Sequence, residues 1–418
     1  SRGTLRSEGF ENADTVARLL ADERMQAEIA GQVIWIDEAG LLGTRTMASV
    51  FDLAERIDAR VILSGDRRQH GSVERGAALR LLEEEAGLVP AEIREIQRQK
   101  SSYKEAVQAL SDGKTENGFR QLDCLGWVRE VPDDERYRVM AADYAQAIAA
   151  RRTALVVSPT HREGDRITGE IRRELKKLNR LGQEEHDVLR LTSSNLTEAE
   201  RADEVNYAAG DVLEFHQNAK GYRKGERLAA TSGWKLPLNQ AARFQVYRPG
   251  TLDLAAGDVV RITKNGSTAD GKHRLNNGAR FTVKGFTKVG DVVLENGWTV
   301  ARNFGHLDYG YVVTSHASQG KTVDRVLIGQ SAESFPASSK EQFYVSVSRG
   351  RERATVYTSE KAALLEAVSR CDDRLTAIEF VNLRQRREHG AKLQGREQAV
   401  VPREEQVRGE QERMTYER

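Results

Sequence analysis

The sequence predicts an α/β protein of two parallel-sheet domains, with a small β-barrel inserted into the second. Three observations predict it. Apolar, β-branched runs at 33–37 (VIWID) and 60–66 (RVILSGD) are separated by one helix length, and TALVVSPT at 153–160 repeats the design. Buried strands joined by helices form βαβ units, whose strands must run parallel. Between about 185 and 308 the texture changes to short alternating strands, with Asn-Gly pairs at 265–266, 277–278 and 296–297. Each pair is a strong hairpin signal, and together they predict the inserted barrel.

In chain order, residues 13–30 predict one amphipathic helix, with Val16, Leu19 and Leu20 in a stripe. The strand 33–37 follows, then a helix over 44–58 and the strand 60–66. This order puts Asp37, Glu38 and Asp66 at strand C-terminal ends, where open α/β sheets hold ligands. Helices over 103–112 and 136–151 complete a first domain spanning 1–150. The second domain comprises 151–184 and 309–365, with a strand at 153–160 and a basic helix at 161–181. After the insertion, 185–308, its α/β texture returns in YGYVVTSHASQGKTVDRVLIG (309–329) and EQFYVSVSRGRERATVYTS (341–359). Residues 366–418 carry dense mixed charge and few large apolar side chains, which predicts a solvated helix or disordered tail.

Composition narrows the class. Of 418 residues, 39% are hydrophobic and 30% charged, enough for two or three cored domains with wet surfaces. No apolar run approaches the roughly 18 to 20 residues of a membrane span. The two cysteines, Cys124 and Cys371, are far apart and near no histidine cluster, so neither a zinc site nor a disulfide framework is expected. A cytoplasmic location follows as the simplest expectation. Net charge is +1, so any nucleic-acid surface must be a local basic groove within a balanced whole.

Four short segments carry chemistry. A nucleotide-hydrolysing site needs one carboxylate to hold Mg²⁺ and another to orient or deprotonate water. Asp37 and Glu38, at the end of a rigid buried strand, supply both, although a strand end also simply favours polar residues. GDRRQ (65–69) follows the next strand, so Gln69 can reach the same crevice with a neutral amide. IQRQ (96–99) and VSRGR (347–351) each place an arginine suited to the charge that spreads over a transferring phosphoryl group. Taken singly, each of these is an ordinary turn or surface side chain.

Their order is far more specific. IWIDEAG, GDRRQHGSVERG, IQRQ, VVTSHASQGKTVDRVLI and YVSVSRGRERATVYT resemble motifs II, III, IV, V and VI of superfamily 1 DNA helicases, over about residues 10–360. They are similar in particular to the RecD-like branch and, in the wording DEAG with GDRRQHGSVERG, to the helicase region of conjugative relaxases of the TrwC/TraI (MobF) type. The resemblance implies two RecA-like, P-loop NTPase-type domains and a 5′→3′ motor that uses ATP and Mg²⁺ on single-stranded DNA. It also implies an upstream relaxase domain joined to it. By motif, Asp37 would hold the metal, Glu38 would activate water, and Gln69 would sense the γ-phosphate. Arg98 and Arg349 would contact that phosphate from the other side of the cleft. Gln319, Gly320 and Lys321 would link nucleotide to the second domain. Thr160, His161, Thr314 and His316 would be DNA contacts.

One motif is missing. No G-x-x-x-x-G-K-[ST] string occurs in the chain. QGKT at 319–322 has the right ending, but position 315 is Ser315 where a glycine is required. The chain begins 36 residues before Asp37, so it is expected to be cut off downstream of the phosphate cradle and not to hydrolyse ATP by itself. The competing reading is a non-catalytic scaffold, derived from a helicase, that grips single strands.

Overall fold

The computed structural model of the chain describes residues 5, 9–72, 74, 76–93, 95–231 and 236–371. They divide into two units, one within residues 2–92 and the other over 93–371.

In the N-terminal unit, strands Val33–Ile36 and Arg60–Leu63 pair in parallel, from Val33 opposite Arg60 to Ile36 opposite Leu63. The helix Thr44–Arg56 connects them. Its Met47, Val50, Leu53 and Ala54 fall on one stripe and are buried against Ile34 and Ile36. The period of two turns Val33, Trp35 and Ile62 to the opposite face, where each is more than half exposed. The single helix expected over 13–30 is instead two, Val16–Ala21 and Glu23–Glu28. Asp22 has extended backbone, and its carboxylate accepts from the Met25 amide, capping a new helix where the first one stops.

The second unit is organised by a five-stranded sheet, in the order Val312–Val313, Ala154–Val157, Val323–Gln330, Gly350–Thr358, Val128–Glu130. Every neighbouring pair is parallel. Helices cover both faces. Leu155, Val157, Val326, Ile328 and Val356 point into one core with Tyr103, Phe119 and Phe343. Val156, Leu327 and Tyr357 point into the other with Met140, Tyr144, Ile167 and Ile171. A strand buried on both sides needs no polar alternation, which is why these segments are continuous apolar runs. At about 1.5–3 kcal/mol per fully buried large side chain, these two cores hold the unit together.

The expected boundary at 150 is corrected by this sheet. Val128–Glu130 forms its edge strand, and helices Ser101–Ser111, Thr115–Cys124 and Asp133–Ala149 pack with it. The division falls at 92/93 because these amphipathic helices need the second sheet's apolar faces. The helix Thr115–Cys124 has no counterpart in the expectation. Helix Lys361–Ser369 buries Leu364, Ala367 and Val368 in the first core, so a tail starting at 366 would cut a packed helix. Residues 372–418 lie outside the described residues.

Beside a two-stranded antiparallel pair, Gly266–Ser267 with Arg274–Leu275, the described insertion holds two larger antiparallel sheets. One orders His186–Ser193, Phe244–Leu254, Val212–Phe215 and Arg227–Ala229; the other orders Thr299–Val300, Val292–Leu294, Arg280–Phe286, Val259–Ile262 and Leu307–Tyr309. Among the described residues the ladder does not close on itself, so the expected barrel is not established by the pairing. Of the three Asn-Gly pairs, only 296–297 turns a hairpin between paired neighbours, Val292–Leu294 and Thr299–Val300, with Gly297 at φ 82°. At 265–266 the glycine serves a different need: a Cβ on Gly266 would sit 2.4 Å from the Phe304 ring. Asn277-Gly278 leads into Arg280–Phe286, whose partner is Val259–Ile262.

Two charged clusters tie the insertion together and to the sheet. Arg172, on helix His161–Lys177, forks onto Asp258 (Nε to Oδ1 2.9 Å, Nη2 to Oδ2 3.0 Å), and Tyr311 donates to the same carboxylate at 2.8 Å. Between the two antiparallel sheets, Glu214 accepts from Lys264 at 2.9 Å and bonds His306 Nε2 at 2.6 Å. Burial alone would raise the Glu214 pKa, but the bonds from His306 and Lys264 outweigh it and hold the carboxyl down at about 2.

Asp258→Asn is expected to cost about 1–3 kcal/mol, because it removes the charge from the buried carboxylate that the Arg172 fork and Tyr311 share, while Glu185 still pairs with Arg172 at 2.8 Å; urea unfolding of the two proteins measures this. A carboxylate whose folded pKa lies below its unfolded value stabilises fully above the unfolded pKa. The Glu214 contribution is therefore present above about pH 4.5 and is lost as pH falls toward 2. Glu214→Gln should be less stable than wild type at pH 7, and the gap should shrink across that window in denaturation series at pH 7, 4 and 3.

Candidate nucleotide and nucleic-acid sites

In the N-terminal unit the parallel register brings the two acidic strand ends together. Ile36 lies opposite Leu63, so the segments beginning at Asp37 and Ser64 leave the sheet side by side. The Ser64 hydroxyl donates to Asp37 Oδ1 at 3.2 Å, and the Ala39 amide donates to the Ser64 carbonyl at 2.8 Å. Glu38 adopts left-handed backbone (φ 54°, ψ 42°), uncommon for a residue with a side chain, and turns the chain into the short helix Ala39–Leu41. On the neighbouring segment a Cβ at Gly65 would press on the Ala39 and Gly40 amides at 3.2 and 3.3 Å. Gly65 thus lets the two loops touch. Asp66 then accepts from the Arg68 amide at 2.9 Å and from Gln69 Nε2 at 3.4 Å.

Asp37, Glu38 and Gln69 therefore share one edge of this unit. Asp37 is exposed and Glu38 half-buried. Among the described residues no three His, Cys, Asp or Glu side chains cluster as a metal cage. The oxygen donors present do fit Mg²⁺, which keeps several waters and takes only one or two carboxylates beside substrate phosphates.

In the second unit, Arg98 and Arg349 come together. Arg98 Nη1 donates to the Ser348 carbonyl at 2.7 Å, Gln99 Nε2 donates to the same carbonyl at 3.0 Å, and Tyr103 donates to the Val347 carbonyl at 2.6 Å. Arg349 itself is 3% exposed, with Nε on the Val345 carbonyl and Nη2 on Ser348 Oγ, both at 2.8 Å. Burial pushes the Tyr103 hydroxyl's pKa well up, against the pull of the Arg98 and Arg349 charges beside it. IQRQ and VSRGR, 250 residues apart, thus form a single cluster. Its Arg349 is packed inward onto its own helix end.

The segment 314–322 differs from a phosphate cradle. A P-loop runs from strand to helix; here the short helix Ser315–Ser318 comes first and QGKT feeds the strand Val323–Gln330. Gly320 has φ 70°, which explains a glycine before Lys321. Lys321 is largely buried, and that burial, with Arg280 and Arg261 nearby, lowers its pKa to about 8. Gln319 caps the short helix.

Two of the expected DNA contacts have local structural work. Thr160 accepts from the Glu163 amide at 3.3 Å and caps helix His161–Lys177; Thr314 accepts from the Ala317 amide at 3.4 Å. His161 and His316 are exposed beside them.

Sequence reasoning missed Arg261 and Arg280. They are direct cross-strand partners, and each has a buried Nε with no hydrogen-bond partner. Asp308 flanks Arg261 on its other side, 4.0 Å away. Nothing in the local pattern marks this cluster, because it depends on register between strands and on the fold bringing Lys321 alongside.

Comparisons with known proteins converge on one group. Residues 3–133, which include the Asp37, Gln69 and Arg98 segments, match a protein family described as an AAA domain. The probable conjugal transfer protein TraA of Sinorhizobium fredii is 24% identical over 360 residues, covering 82% of this chain and 26% of that protein. The multifunctional conjugation protein TraI of Escherichia coli K12 is 24% identical over 445 residues, covering 90% of this chain and 25% of that one. The chain thus spans about a quarter of the length of these curated relatives. The solved Pif1 helicase from Candida albicans aligns with 91% of the chain and 83% of its own, at 15% identity and a TM-score of 0.45, too distant to bear on the site. The AAA-domain match, the ordered motifs it partly contains and the conjugation relatives along most of the chain support a relationship between this protein and superfamily 1 helicases of the TraI type.

Proposed function

We propose that the chain is motor region of an ATP-dependent, 5′→3′ single-stranded-DNA translocase, working in the cytoplasm within a conjugative relaxase-helicase for plasmid DNA transfer. The observation that carries the reading is the shared strand-end edge of Asp37, Glu38 and Gln69. A parallel pair, packed on one face, would deliver a metal-binding carboxylate, a second acid and a neutral amide to one place, as phosphoryl transfer to water requires. Bound Mg²⁺ would neutralise charge on the nucleotide phosphates. Asp37 would hold it, Glu38 would take the proton of the attacking water, and Gln69 would orient that water. Arg98 and Arg349 would respond to phosphate charge, with Arg349 leaving its inward bonds to do so. Gln319 and Gly320 would relay that state to the sheet through the strand that follows them.

For DNA, Lys321 with Arg261 and Arg280 is the best-supported backbone-phosphate contact, because three cations converge with two unpaired N–H groups. Thr160, His161, Thr314 and His316 remain candidates near the ends of neighbouring strands. One observation favours a second reading, a non-catalytic single-strand scaffold: these 418 residues contain no phosphate-cradle string.

ATP hydrolysis with and without single-stranded DNA, on this chain and on the complete product of its reading frame, separates the two readings. The motor reading expects DNA-stimulated turnover in the complete product, a fall of about 10²–10⁴ with Glu38→Gln, and none in the 418-residue chain. DNA binding without turnover in either would establish the scaffold. A second outcome concerns pH. Since the free Lys321 amine loses its proton around pH 8, single-strand affinity should fall from pH 7 to pH 9. Lys321→Ala should flatten that profile and reduce the slope of log affinity against log salt by roughly 1, as read by fluorescence anisotropy.

A further inference from the structure

The sheet face that carries Leu327 and Tyr357 also carries three arginines. Arg325 and Arg353 are direct partners across their parallel strands, and Arg129 stands opposite Tyr357 on the edge strand. Like charges placed opposite one another in a sheet destabilise it unless something neutralises them. Little on the protein does. Asp143 is the one acid lining the cavity between these arginines, and it is already engaged twice, by Arg129 Nη1 at 2.6 Å and by the Tyr357 hydroxyl. The neighbouring acids are committed elsewhere, Glu352 to Arg152 at 3.2 Å and Asp324 to Arg351 at 3.5 Å.

The guanidinium groups are meanwhile oriented and partly unspent. Arg353 lies over the Trp127 ring, 5.6 Å from its centroid, and donates Nε to Thr355 Oγ1 at 3.0 Å, which fixes the group and leaves its terminal nitrogens. Among the described residues, the Arg325 side chain has no hydrogen-bond or ion-pair partner. The cavity they line measures about 100 Å³, room for one tetrahedral oxyanion. It opens on the sheet face opposite the one that Tyr103, Ala354 and Val356 share, so it is distinct from the Arg98–Arg349 cluster beside Tyr103.

We propose that this cavity is a phosphate-type oxyanion site, held by Arg325 together with the terminal nitrogens of Arg353 and Arg129. Planar guanidinium forks match phosphate oxygens in pairs, and two such groups fixed by stacking and by an ion pair are pre-organised for it. The phosphate is either free or part of a nucleic-acid backbone; the chemistry at the site is the same. The proposal is independent of ATP turnover and stands or falls separately from the motor reading.

The test uses the full 418-residue chain and the variants Arg325→Gln, Arg325→Lys and Arg353→Gln. Thermal unfolding is followed in sodium phosphate and in sodium chloride at matched ionic strength, and single-stranded oligonucleotide binding by anisotropy at several salt concentrations. Because Arg325 has no partner to lose, Arg325→Gln should fold and be no less stable than wild type in chloride. A free-phosphate site raises Tm in phosphate above chloride, and Arg325→Gln weakens the apparent phosphate affinity about tenfold or more while Arg325→Lys retains part of it. A backbone-phosphate site leaves Tm in phosphate unchanged, whereas Arg325→Gln and Arg353→Gln each lower oligonucleotide affinity and reduce the salt slope by roughly 0.7. If phosphate gives no specific shift and neither variant alters oligonucleotide binding, the proposal is overturned.

Discussion

Parallel strands cannot be joined by a tight turn, so each connection must cross back over a sheet face before the next strand begins. In this protein that constraint places everything else. The strand Val323–Gln330 lies at the middle of the five-stranded sheet, pairing with Ala154–Val157 on one side and Gly350–Thr358 on the other. The crossover that feeds it contains Gln319, Gly320 and Lys321; the one that feeds Gly350–Thr358 contains Arg349. Residues that carry charge are thus held in the connections, and the connections are held by two apolar cores that the strands feed alternately. A residue shift in register would exchange those cores and unseat both loops together.

Charge in the interior is handled in two ways. Where a carboxylate is buried it is saturated: Asp258 receives both arms of Arg172 and the Tyr311 hydroxyl, and Glu214 receives Lys264 and His306. Glu163 does the same on a smaller scale, accepting from Ser158 and from the Ser331 amide to join two strand ends. Cations are treated differently. Arg261 and Arg280 sit side by side near Lys321, and Arg325 sits beside Arg353, with fewer acids than bases in either place. A protein with a net charge of +1 could have paired them. Surplus buried donors of one sign are costly within the protein alone and become favourable when an anion is bound.

The N-terminal unit shows the same economy in its backbone. Glu38 is held in the left-handed region and Gly65 lets the neighbouring loop approach the Ala39 and Gly40 amides. Strain of this kind persists where surrounding packing over-determines it, here Ile34, Ile36, Met47 and Val50 beneath the turn. The opposite sheet face, with Val33, Trp35 and Ile62, stays exposed.

Local sequence by itself determined the elements whose signal is short-ranged. The runs VIWI, RVIL and ALVV marked parallel strands, although only ALVV is buried on both faces, and the order of five motifs marked the resemblance to superfamily 1 helicases. Asp37, Glu38 and Gln69 could be placed at one edge because strand ends in a βαβ unit must lie together. Tertiary structure decided what depends on distant partners. Helices 101–149 joined the second sheet because their apolar stripes needed its faces. Asn265-Gly266 was spent on a close approach to Phe304 and made no hairpin turn. Arg349 turned inward onto its own helix end, and Arg261 met Arg280 and Lys321 only through strand register. Periodicity reports which side of an element is buried; it carries no information about which element, far along the chain, will do the burying.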